Sequence, residues 1–279
     1  MFTTGPDKFS AVWLSHSSIS DFIKCPRSYY LKNVYKDPIT KHKIMVANPN
    51  LSLGSAVHNV LETVSNTSLA NRPRLNLHFL LDAEWRKFSG DKGGFKDTIQ
   101  EETFKQRGHK MIDRVMTHWD PLLFETVSMG DDLPFYWISE ADNIILCGKV
   151  DWLSKHPQGG IQIIDFKTGR YEESEDSLQL PIYALLVKKI LNEDKMTVSY
   201  WYLDSADLPI NMALPNLEEA EKSIHEIGLK IKQARQSNNM LCPRGEEGCF
   251  SCRDYEKIIK GEAKYLGLGE FNKDLYLVI

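Results

Sequence analysis

The sequence predicts an α/β fold in which a central mixed β-sheet is flanked by helices. Residues 135–168 contain short runs of β-branched and aromatic side chains bounded by turn residues, which favours strands. An apolar helical pattern over 178–187 precedes another strand pattern over 196–202, so a helical crossover would place that strand beside the earlier ones. Hydrophobic residues make up 42% and charged residues 26% of the chain, so a globular core is expected.

The N-terminal part of the chain predicts a lead-in and a broken helix. Residues 1–14 are expected to be loosely ordered. Ser18 has the chemistry of a helix N-cap, and Pro26 should kink the helix or start a second segment just after Cys25. Further helices are expected from Leu53 onward and over 76–88, 97–119, 178–187 and 217–234.

The most informative stretch is a predicted β-hairpin with arms at 148–153 and 161–169. If the hairpin is symmetric about Gln158, Asp151 and Asp165 are cross-strand neighbours. A strand pair over 135–147, with a turn at its centre, would extend this hairpin into an antiparallel meander.

Two carboxylates opposite each other repel, at a Cβ separation of roughly 5 Å, so the pair is explained best by a cation between them. Lys167 should emerge on the same face as Asp165, while Phe166 points the other way. Hard oxygen ligands that hold Mg²⁺ or Mn²⁺ beside a lysine suit phosphodiester hydrolysis. The structural alternative is a surface hairpin with a solvated Asp-Lys pair, which is the commoner meaning of an isolated D-x-K pattern.

Two other polar features border apolar helix faces. His58 lies beside the stripe that starts at Leu53, where a hydrogen-bonded core histidine is the alternative to a metal ligand. Gln179 and Tyr183 are four residues apart and share a helix face. Their partners could be internal, or they could be DNA and an active-site water.

The cysteines have metal-ligand spacing. Cys242, Cys249 and Cys252 fall within eleven residues, and Cys25 is the candidate for a fourth ligand. Zinc and an iron–sulfur cluster both fit four cysteines, and free thiols are the alternative. Cys147 is expected to be a buried apolar residue.

The charge pattern limits the ways in which this protein could bind nucleic acid. The net charge is -4 and the pI is near 6.1, so binding through bulk charge is excluded and a local patch is needed. The stretch 24–43 is the most basic part of the chain, and tyrosines alternate with its basic residues, as Arg27 and Tyr30 illustrate. It could bind a phosphate backbone and stack on bases, and the alternative is an ordinary solvated face. The chain contains no P-loop motif, so any helicase would be a separate partner.

The sequence gives no indication of membrane association. No apolar run approaches the roughly 20 residues of a membrane span, and residues 1–5 lack a signal-peptide layout. We therefore expect a cytoplasmic protein with no membrane partner. At 279 residues and 32.0 kDa it should form a single domain over 1–279, with a helical insertion at about 66–120 and a cysteine-clasped segment at about 240–279.

Six ordered motifs between residue 18 and about residue 255 resemble the RecB-like branch of the PD-(D/E)XK nucleases. This branch includes the AddB nuclease domain and the CRISPR-associated RecB-like exonucleases. The motifs lie at 18–31, 54–58, 148–151, 164–169 and 179–183 and in the C-terminal cysteine cluster.

The resemblance implies a restriction-endonuclease-like core and assigns roles within it. His58, Asp151, Asp165 and the backbone carbonyl of Phe166 would bind the divalent metal, and Lys167 would be the catalytic lysine. The same resemblance implies that four residues contact DNA or support the active site, namely Gln179, Tyr183, Arg27 and Tyr30. It also implies a 4Fe–4S cluster bound by Cys25, Cys242, Cys249 and Cys252. One departure is that Ile258 stands where the family form has its last cysteine, while Cys242 precedes the C-x-x-C pair.

The function implied is that of a Mg²⁺- or Mn²⁺-dependent DNA exonuclease acting on single-stranded DNA or DNA ends in repair, recombination or defence. A separate helicase, recombination or CRISPR partner is possible. Two alternatives remain open at this point. One is a non-cleaving DNA-binding or assembly subunit of a helicase–nuclease or CRISPR adaptation complex, and the other is a zinc-clasped RNA-processing enzyme.

Overall fold

The computed structural model describes residues 7–130 and 132–278, and it confirms the predicted mixed α/β class. The chain forms two compact units. The first contains the described residues up to Ala47, Phe135–Gly148, and those from Leu217 onward. The second contains the described residues of Asn48–Pro134 and Lys149–Asn216. No helix among the described residues has the length and apolarity needed to cross a membrane.

The helices of the described chain are distributed over both units. The α-helices are α1 His16–Lys24, α2 Pro26–Tyr29, α3 Pro49–Ser65, α4 Leu77–Trp85, α5 Thr98–Thr117, α6 Gln179–Leu191, α7 Leu217–Gln236 and α8 Arg253–Ile259. A π-helical turn spans Tyr30–Val34, and 3₁₀ turns span Leu69–Arg74, Arg86–Phe88, Gly90–Gly93, Asp120–Leu122 and Glu270–Asn272.

The strands of residues 7–130 and 132–278 form three mixed sheets. They are β1 Val12–Leu14, β2 Ile44–Val46, β3 Phe135–Ser139, β4 Ile144–Cys147, β5 Trp152–Lys155, β6 Ile161–Lys167, β7 Met196–Tyr202, β8 Ile210–Met212, β9 Ala263–Leu268 and β10 Asp274–Val278. The first unit holds the sheets β1-β4-β3 and β2-β10-β9, and the second holds β5-β6-β7-β8. Each sheet combines parallel and antiparallel pairs.

The beginning of the chain is more regular than predicted. Residues 1–6 of the expected lead-in lie outside the described residues, but Val12–Leu14 pairs with β4 as a parallel strand. The cap prediction was wrong: Ser15 is the N-cap of α1, and its hydroxyl accepts a hydrogen bond from the Ser18 amide at 3.2 Å. The prediction for Pro26 is confirmed, since α1 ends at Lys24 and α2 begins at Pro26.

In the first unit, α7 packs against β1, β3 and β4. A Cβ atom on Gly228 of α7 would lie 2.9 Å from the Leu14 side chain and 3.1 Å from that of Ile144, so any larger residue there would require these side chains to shift. Helix α8 packs against β2 and β10. The sheet β2-β10-β9 was not predicted, because its strands come from opposite ends of the chain and their short patterns contain no partner information.

The predicted meander was wrong. The β3–β4 hairpin forms at its Asn143 turn, but β4 pairs on its other side with β1, and β5 pairs only with β6 among the described strands. The chain is not extended as a strand over residues 148–151. A period-two pattern identifies strands without fixing which strands become neighbours.

The β5–β6 hairpin has the predicted register. Trp152 pairs with Ile164 and Lys155 with Ile161, as expected for symmetry about Gln158. Helix α6 crosses over from β6 to β7, which pair in parallel, so the predicted crossover is also confirmed.

The two faces of β6 have different partners. Ile164 and Phe166 join the apolar core that β5, β6 and β7 share with α3, α4 and α5. The intervening Asp165 points to the opposite face, where α6 lies and Gln179 hydrogen-bonds to it. Packing on one face therefore holds the polar side chains of the other face in place.

Arg72 is a buried residue that the sequence did not single out. Only 2% of it is exposed, and its guanidinium donates hydrogen bonds to the carbonyl oxygens of Leu122 at 2.8 Å and Phe124 at 2.7 Å. It also donates to the carbonyls of Val64 at 3.2 Å and Thr67 at 3.0 Å. Arg72 thereby satisfies backbone groups at the C-terminal end of α3 and in the chain that enters the sheet region.

We expect Arg72→Met to lower the free energy of unfolding by about 3 kcal/mol or more, because it leaves several buried carbonyls without a donor. Chemical denaturation of the full chain measures this. Arg74→Met, at an exposed position of the same 3₁₀ turn, is the matched control and should change stability by less than about 0.5 kcal/mol. Equal effects of the two substitutions would contradict the structural role of Arg72.

Candidate active site and metal centre

The predicted active-site residues converge in the second unit. Asp151 immediately precedes β5, and its Oδ2 accepts a hydrogen bond from the Phe166 amide at 3.0 Å. His58, on α3, places Nδ1 3.2 Å from the other carboxylate oxygen of Asp151. Asp165 and Lys167 lie at the end of β6, where Lys167 Nζ is 2.9 Å from Asp165 Oδ2. One imidazole, two carboxylates and one ammonium group thus share a site.

Asp165 is the most constrained of these groups. It is 1% exposed, and its Oδ1 accepts a hydrogen bond from Gln179 Nε2 at 2.6 Å. Its other carboxylate oxygen, Oδ2, is also buried and faces the Lys167 ammonium group at 2.9 Å. Burial and the neighbouring Asp151 carboxylate raise the pKa of Asp165 to about 7, against the opposing effect of Lys167.

This donor set fits a hard divalent cation. Two carboxylates and an imidazole are ordinary ligands of such metals, and His58, Asp151 and Asp165 lie close enough here to interact electrostatically. A cation would also remove the repulsion that raises the pKa of Asp165. His58, Asp151 and Asp165 are the side chains that could hold it.

Lys167 lies between two acids. Besides Asp165, its Nζ lies 3.0 Å from Glu173, and it donates a hydrogen bond to Gln179 Oε1. Burial lowers the pKa of Lys167, but Asp165 and Glu173 outweigh burial, so the net shift is upward. The side chain is therefore an ammonium group at neutral pH.

Gln179 and Tyr183 share a face of α6, as predicted, and their partners are internal. The amide of Gln179 donates to Tyr183 Oη at 3.1 Å as well as to Asp165, while its oxygen accepts from Lys167. Burial raises the pKa of the Tyr183 phenol. Gln179 thus fixes the relative positions of the second acid and the lysine.

Glu173 was missed by sequence reasoning. It lies in an irregular acidic segment between β6 and α6, where no periodicity marks it. The backbone amide of Glu173 donates to Tyr202 Oη at 3.1 Å, which helps to place its carboxylate beside Lys167. Only the folding of this loop over the end of the sheet brings the two together.

The remaining predicted support residues lie in the first unit. Arg27 forms a two-point ion pair with Glu256, at 2.5 and 3.2 Å, and its guanidinium lies 5.3 Å from the Tyr30 ring. Lys32 pairs with Asp21 at 2.7 Å. These members of the basic stretch therefore have partners within the protein. Their role toward DNA stays a prediction, as does the role of the Phe166 carbonyl.

The four predicted cysteines come together in the first unit. The Sγ atoms of Cys25, Cys242, Cys249 and Cys252 all lie within 4.8 Å of one another. Cys25 occupies the break between α1 and α2, and Cys252 immediately precedes α8. Cys147 is elsewhere and buried, as predicted, with its thiol directed to the Leu14 carbonyl.

Backbone amides point at the sulfur atoms of this group. Sγ of Cys25 accepts from the Ser28 amide at 3.5 Å, Sγ of Cys242 from Arg244 at 3.4 Å, and Sγ of Cys252 from Cys249 at 3.2 Å. Burial by itself would raise the pKa of the Cys249 thiol, but amide hydrogen bonds and the neighbouring cysteines lower it to about 6. Burial raises the pKa of the Cys25 and Cys252 thiols, so a bound metal or metal cluster would be needed to hold all four cysteines as thiolates.

Two further contacts join the chain segments that carry these cysteines. Ser28 donates its hydroxyl to the Ser251 carbonyl at 2.9 Å, and the Arg27–Glu256 pair lies beside it. The predicted clasp between Cys25 and the C-terminal segment is therefore present.

The comparison with protein families decides the assignment. A family model described as the PD-(D/E)XK nuclease superfamily matches residues 13–257. The chain belongs to this superfamily. Its mixed sheets flanked by helices are consistent with the restriction-endonuclease-like fold of PD-(D/E)XK nucleases, and membership implies a nuclease of a superfamily that typically uses divalent metals.

Other comparisons add little to the PD-(D/E)XK assignment. No curated protein matches the chain. Among solved structures, the chain is similar to one described as the crystal structure of SSO0001, with 14% sequence identity and a TM-score of 0.28. The match covers 66% of this chain and 86% of that one, and a TM-score this low does not establish a shared fold.

Without divalent metal, we expect the stability of this PD-(D/E)XK protein to fall relative to that of Asp165→Asn as the pH rises from about 4 to about 7. The pKa of Asp165 is about 7 in the folded protein and near 3.8 when unperturbed, so the folded state retains a proton that the unfolded state has lost in this interval. Asparagine removes that titration.

Denaturation in EDTA at a series of pH values measures this difference. Asp176→Asn, an exposed acid before α6, is the control and should show no such trend. A wild-type stability that rises relative to Asp165→Asn across the same interval would contradict the expected environment of Asp165.

Proposed function

We propose that this protein is a Mg²⁺- or Mn²⁺-dependent deoxyribonuclease that degrades single-stranded DNA or DNA from its ends. The observation that carries the proposal is the convergence of Asp151 and Asp165 from adjacent chain segments beside Lys167. The superfamily takes its name from an acid followed by an acid-x-lysine pattern, and these three residues have that pattern. A buried acid facing a second acid beside a lysine is the arrangement in which a bound divalent metal assists phosphodiester hydrolysis.

His58, Asp151 and Asp165 would bind the cation. A divalent ion there would polarise the scissile phosphate and make a water molecule a better nucleophile. The hydrogen bond from the Phe166 amide fixes Asp151, and the one from Gln179 fixes Asp165, so both carboxylates are oriented before any ligand arrives.

Lys167 would act mainly through its charge. Its pKa is raised, so an ammonium group faces the place where negative charge develops on the phosphate. The same group can orient the attacking water by a hydrogen bond. Glu173 and Gln179 hold Lys167 in position, and we assign both as positioning residues.

We expect Asp165→Ala and Lys167→Ala each to lower kcat by about 100-fold or more, since each removes a group that stabilises the charged transition state. Release of nucleotides from labelled single-stranded DNA in Mn²⁺ or Mg²⁺ measures this. Lys155→Ala is the matched control and should keep wild-type kcat, because Lys155 is exposed on β5 and its side chain pairs, within the described part of the chain, only with Glu125.

The form of the DNA distinguishes the possible outcomes. End-dependent degradation predicts cleavage of linear DNA and resistance of circular single-stranded DNA. Cleavage of circular DNA at the same rate as linear DNA would indicate an endonuclease instead of an exonuclease. Binding of DNA without cleavage in either metal would favour a non-cleaving subunit of a larger complex, and faster cleavage of RNA would favour an RNA-processing enzyme.

We also propose that Cys25, Cys242, Cys249 and Cys252 hold a structural 4Fe–4S cluster, on the basis of the four-thiolate donor set and the order of the cysteines along the chain. Zinc is the second candidate. A tetrahedral zinc site with Zn–S bonds of about 2.3 Å has sulfurs about 3.8 Å apart. The Sγ atoms of Cys249 and Cys252 have this separation, 3.8 Å.

Metal analysis of anaerobically purified protein tests the centre. A cluster predicts brown protein with iron and acid-labile sulfide in equal amounts, whereas colourless protein with one zinc would establish the second candidate. Cys25→Ala should lose the metal and unfold at a lower temperature, because the clasp is opened. Cys147→Ala, at a cysteine outside the group, should keep the metal. Loss of the metal from both variants would contradict the ligand assignment.

A further inference from the structure

A groove lies beside the proposed active site within the second unit. It has a volume of about 590 Å³ and is lined by one side of α5 and by a residue of the loop that follows β6. The charged residues of its lining are Glu102, Arg107, Lys110 and Arg170. Its size falls in the range of roughly 300–1,000 Å³ that is typical of sites for small organic ligands, including nucleotides.

The groove is structurally continuous with the end of β6. Arg107 donates a hydrogen bond to the carbonyl of Thr168 at 3.3 Å, and Thr168 directly follows Lys167. Arg170 is three residues beyond Lys167, so their Cα atoms are at most about 11 Å apart. A chain molecule held at the active site could therefore extend into the groove within one or two repeating units.

The groove carries a net positive charge, because its lining sets Arg107, Lys110 and Arg170 against the acid Glu102. Lys110 and Arg170 have no ion-pair or hydrogen-bond partner among the described residues. In contrast, Arg107 pairs with Asp204 at 3.0 Å. The whole protein has a net charge of -4, so an anionic ligand would be drawn to this local feature rather than to the protein in general.

Tyr171 follows Arg170 and is 88% exposed, with no hydrogen-bond or ring partner among the described residues. An exposed tyrosine loses no packing when a planar group stacks on it. Aromatic side chains beside cations are the combination that binds single-stranded nucleic acid, because the unpaired base stacks and the phosphate is neutralised. In a duplex the faces of the bases are already occupied by their neighbours.

We propose that Arg170, Tyr171 and Lys110 form a binding track for single-stranded DNA beside the scissile phosphate. Arg170 and Lys110 contact successive phosphates, and Tyr171 stacks on one base. This inference rests on the proposed nuclease function and names the form of its substrate. The track makes the second unit selective for an unpaired strand, whether that strand is a free single strand or a frayed end.

Binding of a fluorescent oligothymidylate to the full-length protein in EDTA tests the track independently of cleavage. Tyr171→Ala should weaken binding about 10-fold, and Tyr171→Phe should restore most of it because the ring is retained. The double variant Arg170→Ala/Lys110→Ala should reduce the slope of log affinity against log salt by about 1.4, since each phosphate contact to a single strand contributes about 0.7.

Two exposed residues of the second unit serve as controls. Phe79→Ala removes another exposed aromatic ring, on α4, and Lys155→Ala removes an exposed lysine. Neither should change affinity or the salt slope. Cleavage kinetics should show a raised KM with little change of kcat for the track variants, because these residues hold the strand and do not touch the reacting atoms.

The outcomes separate the track from the nuclease function. Wild-type protein that cleaves DNA, with KM and salt slope unchanged in the track variants, would overturn the track alone. Equal affinity for blunt duplex and single strand, with no effect of Tyr171→Ala, would overturn its selectivity. Wild-type protein that neither binds nor cleaves DNA would overturn both proposals.

Discussion

The active-site region depends on the electrostatic repulsion between two neighbouring carboxylates. Asp151 directly precedes β5 and Asp165 lies near the end of β6, so the hairpin brings two carboxylates close enough to repel, and burial of Asp165 makes their repulsion costly. Lys167, the Phe166 amide and the Gln179 amide offset that cost without removing it. The repulsion between the two carboxylates is only partly offset, and a hard cation bound between them would remove it. On the sheet face beneath α6, hydrogen bonds from and to Gln179 hold Asp165 and Lys167 in this arrangement.

The first unit has a different constraint, which is the joining of distant chain segments. In the part of this unit that the structure describes, each sheet has three strands, and the strands β2 and β10 are short and far apart in sequence. The cysteine group links the α1–α2 break to the start of α8, and the Ser28–Ser251 hydrogen bond reinforces that link. A metal bound to four thiolates would add cross-linking where apolar burial is limited.

Much of the site could be predicted because it depends on local patterns. A turn centred on Gln158 determined which residues of β5 and β6 face each other, and side-chain alternation separated Phe166 from Asp165 and Lys167. The spacing of Gln179 and Tyr183 placed them on one helix face, and Pro26 placed the break between α1 and α2. Each of these features is set by backbone geometry over a few residues.

The sequence by itself thus determined the fold class, the hairpin register and the candidate ligands, since each follows from short-range periodicity or from the chemistry of a side chain. Only the tertiary structure decided that β4 pairs with β1, that Arg72 satisfies carbonyls from two segments, and that Arg27 pairs with Glu256. It also brought Glu173 to Lys167. These contacts join residues far apart in the chain or in irregular loops, where the balance of burial and pairing over the whole fold selects the partner.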